Sequence, residues 1–488
     1  MTHLEIFNHN TICALATPEG TSALGIVRLS GPQAHQIIAK LFRATNPSLP
    51  LLPRRIYLGG LYDGERLIDE VLVHLAVAPA SFTGEDTAEI SCHGSPYILQ
   101  EIMRLLVEAG ASPAFPGEFS QRAFLNGKID LAQAEAIADL IAAENEAAHR
   151  LAIQQMRGGY SQEISSLRSA LVDFAALLEL ELDFSEEDVT FADRTQLLKL
   201  LDEVLNTIES LCKSFSLGNV IKNGVPVAIT GATNVGKSTL LNALLREERA
   251  IVSEIHGTTR DTIEEQITLD GIRFRFIDTA GLRASKEEVE LLGIERSYQK
   301  IRDASLVLLV LDATNPELFK EQIRQVTAHI DGEKQQLIIV LNKYEIINNK
   351  ESFYNNDAIL YNSDVTDLIH KLCKDLDLNI YAIIAISAKY KLGINSLQAL
   401  LTSAIRARFD VAKLSTGSIL ITNLRHLHAL QEAQKALTRV QEGLSSTLPT
   451  DLVAQDLRLA LYELGSITGD VTTDEILGNI FSKFCIGK

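Results

Sequence analysis

Val227-Ala-Ile-Thr230, Gly231-Ala-Thr-Asn-Val-Gly236-Lys237-Ser238-Thr239 and Leu240-Leu-Asn-Ala-Leu-Leu245 follow one another without a gap. A short apolar run, a glycine-bounded loop ending in Gly-Lys-Ser and a Leu/Ala-rich run spell strand, loop and helix, in that order. In such a loop the glycines let backbone N–H groups converge on phosphate oxygens. The helix N-terminus adds positive potential, Lys237 reaches the outer phosphates and Ser238 ligates magnesium. A glycine-rich turn that binds nothing would not need the three further elements that follow downstream.

The first of these is Gly257-Thr-Thr-Arg-Asp261, in a polar loop after Ala250–Ile255, where Thr259 is expected to complete the magnesium shell. Next, Glu264–Leu269 and Ile272–Ile277 alternate around Asp270-Gly271, a hairpin signal that adds an antiparallel edge. The second strand delivers Asp278-Thr279-Ala280-Gly281. Asp278 suits a magnesium-bound water, and the Gly281 N–H suits a terminal phosphate. Third, Leu337–Leu341 leads into Asn342-Lys343-Tyr344-Glu345, and Ile383–Ile386 into Ser387-Ala388-Lys389. These are similar to the guanine-reading loops of GTPases, in which a carboxylate accepts two hydrogen bonds that adenine cannot offer. Here the acid is Glu345 rather than aspartate, one methylene longer, and weaker GTP affinity is expected. From Gly224 to about Ile405 strands alternate with helical segments, the pattern of a mostly parallel sheet covered on both faces.

Many switch GTPases orient the attacking water with a glutamine just after the sensing glycine, but Leu282 stands there and forms no hydrogen bond. Asn234 puts an amide oxygen inside the phosphate loop. With oxygens from Ser253 to Thr258 it could hold a monovalent cation that acts as an arginine finger does. Equally, Asn234 could simply shape the loop. Glu287, Glu288 and Glu290 follow the sensing loop and one of them could position water; the residues alone do not choose among them.

Outside this module, residues 1–124 read as a small α/β domain: Tyr57–Tyr62, Asp63-Gly64 and Leu72–Val77 spell strand, turn and strand, and helical Tyr97–Glu108 follows Thr87–Cys92. Residues 125–223 read as helical, over Leu131–Met156, Ser161–Leu182 and Thr195–Leu211, broken by Asp183-Phe-Ser-Glu-Glu-Asp188. Residues 224–405 form the nucleotide module, and 406–488 are helical again over Leu424–Val440 and Asp451–Leu464. The fold class is thus α/β plus all-α, with a Ras-like phosphate-loop domain inserted into a helical domain. With 46% hydrophobic and 22% charged residues, the 488-residue chain has material for several cores. A formal charge of −18 argues against a broad phosphate-neutralising face, so any RNA contact is expected to be local or supplied by a partner. Five scattered cysteines without paired metal spacing suit a reducing compartment. The opening Met1-Thr-His-Leu-Glu5 has no secretory pattern, and runs such as Leu306–Leu311 are too short to span a bilayer, so the expected location is cytoplasmic with no membrane contact.

The asparagine of the phosphate loop, Gly257-Thr-Thr-Arg-Asp261, Asp278-Thr-Ala-Gly-Leu282 and the flanking helical domain resemble the tRNA-modification GTPases of the MnmE (TrmE) family. Specific to that family are Gly25-Ile-Val-Arg28-Leu-Ser-Gly31, Ser81-Phe-Thr-Gly-Glu-Asp86 running on to Glu89, Pro116-Gly-Glu-Phe-Ser-Gln-Arg-Ala-Phe-Leu-Asn126 and Phe484-Cys-Ile-Gly-Lys488. The resemblance covers essentially the whole chain. It departs at Glu345 and at His93-Gly94-Ser95, where the family usually shows His-Gly-Gly.

The resemblance implies a homodimer whose G domains pair during potassium-dependent GTP hydrolysis. By position, potassium falls to Asn234, Ser253, Ile255 and Thr258, magnesium to Ser238 and Thr259, and the water-orienting role to Glu290. The nucleotide site would take Asn234 to Thr239 including Val235, then Ser253, Glu254, Ile255, His256, Gly257, Thr258 and Thr259, with Asp278 to Gly281 including Thr279 and Ala280. Asn342, Lys343, Glu345, Ser387, Ala388 and Lys389 would read the base. A 5-formyl-tetrahydrofolate or related folate would lie against Arg28, Glu89, Lys128 and Lys488, and Cys485 is the family's terminal cysteine, tied to modification. The reaction implied adds a (carboxymethyl)aminomethyl group at carbon five of the wobble uridine in certain tRNAs. The flavin-binding partner MnmG (GidA) shares this work in a heterotetramer or larger complex. A regulatory ribosome-assembly GTPase would share the nucleotide motifs but need neither the folate-like set nor the terminal Cys-Ile-Gly-Lys. A scaffold with a vestigial site would not need Lys237, Ser238 and Asp278.

Overall fold

Alternation of buried and exposed residues with period two marks the longer strands of the first 113 residues, which build one sheet. The computed structural model describes residues 10–46, 51–183, 194–246, 265–277, 301–332, 335–347, 369, 371–372, 374, 380–408, 419–446, 449–482, 484 and 487. Strands β1 (Ile12–Leu15) and β2 (Leu24–Ser30), helix α1 (Ala34–Leu41), strands β3 (Phe42–Ala44), β4 (Ile56–Asp63), β5 (Arg66–Ala76) and β6 (Thr87–His93), helix α2 (Pro96–Glu108) and strand β7 (Ser112–Pro113) follow in order. The sheet order is β3-β4-β5-β6-β2-β1-β7. Val27, Leu29, Val71, Val73, Ile90 and Cys92 point to one face, where Ile37, Ile38, Leu99, Ile102 and Leu106 from the two helices complete a buried core. The other face carries Leu24, Ile56, Leu58 and Leu72, exposed at 64%, 67%, 56% and 45%. Register aligns these in rows: Leu58 with Leu72, Leu72 with Ser91, Ser91 with Ile26, and one row along Arg28 with Glu89.

Helices α3 (Glu118–Leu125), α4 (Leu131–Ile141), α5 (Glu146–Met156), α6 (Gly159–Asp183) and α7 (Arg194–Asn223) come next. Asp130 and Gln133 close a reciprocal capping box at the start of α4. The single helix expected over Leu131–Met156 is broken instead. Asn145 accepts a hydrogen bond from Ala148 N at 2.8 Å and so begins a new helix rather than continuing the old one. In contrast, α7 runs past the expected end at Leu211 to Asn223, because Leu217, Val220 and Ile221 keep one side buried until Gly224, at φ 82°, stops the helix. Helices α1 and α3, and the later helix over Asp474–Phe481, lie where the sequence reading placed none.

The nucleotide module contributes β8 (Val225–Thr230), α8 (Lys237–Arg246), β9 (Glu265–Leu269), β10 (Ile272–Ile277), β11 (Leu306–Asp312), α9 (Phe319–Thr327), β12 (Gln336–Asn342), β13 (Ala382–Ala385) and α10 (Ile394–Arg408). Its sheet order is β13-β12-β11-β8-β10-β9, parallel throughout except for the expected hairpin, where β9 runs antiparallel to β10. Leu306 to Leu311 are all fully buried, as a central parallel strand covered on both faces requires.

Helices α11 (Leu424–Ser445), α12 (Thr450–Thr468) and α13 (Asp474–Phe481) close the chain order. Helix α12 packs on α11, α6 and α4, so helices that precede and follow the nucleotide module in sequence share a core. Two compact units result. One holds Met1–Ala142, Leu151–Cys212 and Leu424–Lys488, the other Ala143–Arg150 and Lys213–Asn423.

Candidate nucleotide and folate sites

Strand β8 lies between β10 and β11, and the loop that follows leaves the sheet at the carboxyl ends of parallel strands, where such sheets bind ligands. The loop needs left-handed backbone at Gly231 (φ 141°), Asn234 (φ 62°) and Gly236 (φ 98°), and an asparagine tolerates that region better than most side chains. A side chain on Gly231 would run into the Val310 carbonyl, and one on Gly236 into the Asn342 amide nitrogen. The Lys237 ammonium donates to the carbonyls of Gly231 at 2.7 Å and Ala232 at 2.6 Å, and burial lowers its pKa. An ammonium curled over its own loop is placed to move onto phosphate oxygens, which would replace those two bonds.

Asn342 ties the loops together. Its Nδ2 donates to Val235 O at 2.8 Å and its Oδ1 accepts from Ala388 N at 3.0 Å, so one buried amide spans the phosphate loop and both base loops. Lys343 takes left-handed backbone, φ 62°, and its Nζ lies 2.6 Å from Asp312 Oδ2. Burial pushes the Asp312 carboxyl up, but hydrogen bonds from Lys343 and Thr314 outweigh that and hold it below the usual value. Glu345 has a buried Oε2 with no hydrogen-bond partner among the described residues. A buried carboxylate oxygen without a donor is costly, and two N–H groups of a guanine edge are what would satisfy it. In the third loop Ser387 and Leu392 exchange backbone hydrogen bonds, and the Lys389 ammonium stands 5.3 Å from the Tyr390 ring centre.

The structure therefore brings Val235, Gly236, Asn342 and Ala388 into contact and sets Asn234, Lys237, Ser238 and Thr239 in one turn. Ser253, Glu254, Ile255, His256, Gly257, Thr258, Thr259, Asp278, Thr279, Ala280, Gly281, Glu290, Cys485 and Lys488 lie outside the described residues. Sequence reasoning missed Asp312. An acid closing the apolar run Leu306–Leu311 was the available signal, but only strand register, Asp312 level with Asn342, gives it meaning.

In the amino-terminal domain, Arg28 and Glu89 face each other across β2 and β6. Arg28 Nε donates to Glu89 Oε1 at 2.8 Å, and Nη1 donates to the Gly487 carbonyl at 3.3 Å. The guanidinium also lies 5.9 Å from the Phe82 ring centre and 5.8 Å from that of Phe119. Lys128 donates to Pro79 O at 3.0 Å, and its stem backs on Gly84. The segment from Pro79 to Gly84 thus touches both cations. It is pinned from behind by Ser30 and Thr83 hydroxyls 2.6 Å apart, by Ser30 Oγ donating to Glu85 at 2.7 Å, and by Arg122 bridging Glu85 and Glu118 at 3.2 and 2.9 Å. Guanidinium, carboxylate and flanking rings suit a ligand with carboxylates and a flat polar ring.

Cys13 and Cys92 are buried, which lifts each thiol to about 11 and leaves them unreactive. Among the described residues no cluster of three or more His, Cys, Asp or Glu is suited to a metal, and no helix is long and apolar enough to cross a membrane.

Comparison with known proteins adds four matches, two to family models and two to relatives. The family described as "GTP-binding protein TrmE N-terminus" matches residues 11–128, and "MnmE helical domain" matches residues 131–485. The "tRNA modification GTPase MnmE" of Bacteroides fragilis is 48% identical over 489 residues, covering 99% of this chain and 100% of the relative. The protein of the same description from Cytophaga hutchinsonii is 48% identical over 490 residues, covering 100% of both chains.

Proposed function

The chain belongs to the MnmE (TrmE) family of tRNA-modification GTPases, and from that premise we propose that it cleaves GTP in the pocket bounded by Gly231–Thr239, Asn342–Glu345 and Ser387–Lys389. The observation that carries this reading is the buried oxygen of Glu345, without a partner among the described residues, in a base loop clasped to the phosphate loop by Asn342. Main-chain N–H groups of the loop and the Lys237 ammonium hold the triphosphate and stabilise charge on the outer phosphates. Glu290 orients the water whose oxygen attacks the γ-phosphorus, while the bond from that phosphorus to the bridging oxygen breaks and leaves GDP and phosphate. Ser238 and Thr259 would hold magnesium, with Asp278 acting through water, and the ion would neutralise phosphate charge. Asn234, already in the left-handed turn, with Ser253, Ile255 and Thr258 would hold potassium, which would supply positive charge to stabilise the charge that develops on the phosphates.

The modification itself is read from the family. The chain works with the flavoprotein MnmG in a heterotetramer or larger complex to add a (carboxymethyl)aminomethyl group at carbon five of a tRNA wobble uridine, with Cys485 serving this step. A formyl-tetrahydrofolate or related folate would sit against Arg28, Glu89, Lys128 and Lys488. The Arg28–Glu89 pair between Phe82 and Phe119 supports that placement, and a ribosome-assembly GTPase would have no use for it. The open sheet face with Leu24, Ile56, Leu58 and Leu72 supports pairing of two copies through the amino-terminal domain. A Ras-like module inserted into the helical domain agrees with the chain order and with the parallel sheet. Hydrolysis should fall by on the order of tenfold or more when potassium is replaced by sodium, since a preorganised charge at the leaving oxygen is worth at least that. Equal phosphate release in the two salts would remove the cation proposal.

A further inference from the structure

Asp312 belongs to none of the nucleotide motifs, yet it touches one. It ends β11 level with Asn342, the last residue of β12, so its carboxylate meets the residue that follows Asn342. One of its oxygens, Oδ1, is fully engaged, accepting from Thr314 N at 3.0 Å and Thr314 Oγ1 at 2.7 Å. The other, Oδ2, is left to the Lys343 ammonium at 2.6 Å. Lys343 needs such a partner because its backbone is left-handed, φ 62°, a region that disfavours any residue with a side chain. The next two residues depend on that conformation. Tyr344 turns into the core, 1% exposed, and Glu345 becomes the middle residue of the short helical turn Tyr344–Ile346, with its Oε2 buried and without a partner among the described residues. An extended Lys343 would send this turn elsewhere.

We propose that Asp312 is a positioning residue for guanine selection: by holding the Lys343 ammonium it fixes the left-handed backbone that sets the Glu345 carboxylate in the base pocket. The inference rests on the GTP-site reading above and extends it from the residues that touch the base to one that acts through them. Asp312 stays ionised throughout the neutral range, because its carboxyl is held below the ordinary carboxylate value, so the clamp is constant rather than pH-gated.

The test uses the full chain with magnesium and two probes, GDP and IDP. IDP lacks the exocyclic amino group, so a well-placed Glu345 gains two hydrogen bonds from GDP and one from IDP. Asp312→Asn is expected to weaken GDP about tenfold and IDP less, lowering the GDP-to-IDP preference, as loss of charge-assisted hydrogen bonds implies. Lys343→Gly supplies a residue that takes left-handed backbone freely, so adding Asp312→Asn to it should change GDP affinity by less than about twofold. An unchanged preference in Asp312→Asn, or a full further loss on top of Lys343→Gly, overturns the proposal. Should Asp312→Asn fail to fold, Lys343→Met removes the ammonium and keeps the stem, and its preference must fall; an unmoved ratio there overturns the proposal equally. A wild-type chain that binds neither diphosphate overturns the GTP-site reading and this inference together, whereas tight wild-type binding with an unmoved ratio overturns this inference alone.

Discussion

At Gly236 the absence of a side chain leaves room for Asn342, which joins the loops of the proposed nucleotide pocket. A methyl group there would meet the Asn342 amide nitrogen and, at φ 98°, would also be strained. Gly236→Ala is therefore expected to cost both bonds of the Asn342 clasp and to weaken GTP binding by about tenfold or more, the sum of two modest hydrogen bonds. Wild-type affinity in a nucleotide titration would show that the clasp does not hold the pocket. At this scale the sequence was legible wherever chemistry and chain neighbourhood coincide. The spacing of Gly231, Gly236, Lys237 and Ser238 announces a phosphate loop, and Asn342 and Glu345 announce a base loop with one methylene too many. Asp312 and the Phe82–Arg28–Phe119 stack were not legible, because their partners are set by strand register and by loops that return from far along the chain.

At the scale of elements, period decided most of the reading and local competition decided the rest. Long apolar periodicity gave α6, α11 and α12 within a few residues at most of their observed ends, and alternation around Asp270-Gly271 gave the β9–β10 hairpin. The break before α5 was hidden because Asn145 is helix-compatible in composition and becomes a cap only when its side chain takes the Ala148 N–H. The extension of α7 beyond Leu211 includes Gly218, a residue type that weakens helices. Gly218 is instead required, because a side chain there would strike the Ile421 carbonyl. In an ordinary exposed helix a glycine-to-alanine change gains up to about 1 kcal/mol. Here Gly218→Ala should instead destabilise by about 1–3 kcal/mol through overpacking against backbone. Urea unfolding decides the sign, and a stabilised variant would mean that α7 and the Ile421 segment can part at no cost.

For the molecule as a whole, the joint between helices that precede and follow the nucleotide module is ionic as well as apolar. Glu135 on α4 accepts from Arg425 Nε at 3.0 Å and lies 2.6 Å from His426 Nε2 on α11, while Arg425 also donates to the carbonyls of Ser466 and Ile467 on α12. Burial raises the Glu135 pKa, but His426 and Arg425 outweigh it and bring it down to about 2, from 4.5 for a free side chain. A folded pKa below the unfolded one gives stability that is complete above 4.5 and fades as pH falls through about 2. That contribution is up to roughly 3 kcal/mol. Glu135→Gln should lower stability at neutral pH by an amount of that order and flatten its decline in the acid window. An unchanged acid unfolding curve would show that this carboxylate carries none of it. None of this was visible in the sequence, where Glu135 and Arg425 are separated by 290 residues and look like two more solvated charges.

The hydrogen bond from Arg28 to the Gly487 carbonyl joins residues 459 positions apart. Ribosomes add about 5–20 residues each second, so tens of seconds pass between the emergence of one partner and of the other. The amino-terminal sheet, whose pairings all fall within the first 113 residues, is free to form long before that bond can be made. A nascent or prematurely stopped chain would carry a formed sheet in which Arg28 lacks this bond, and only a chain translated through Gly487 can make it.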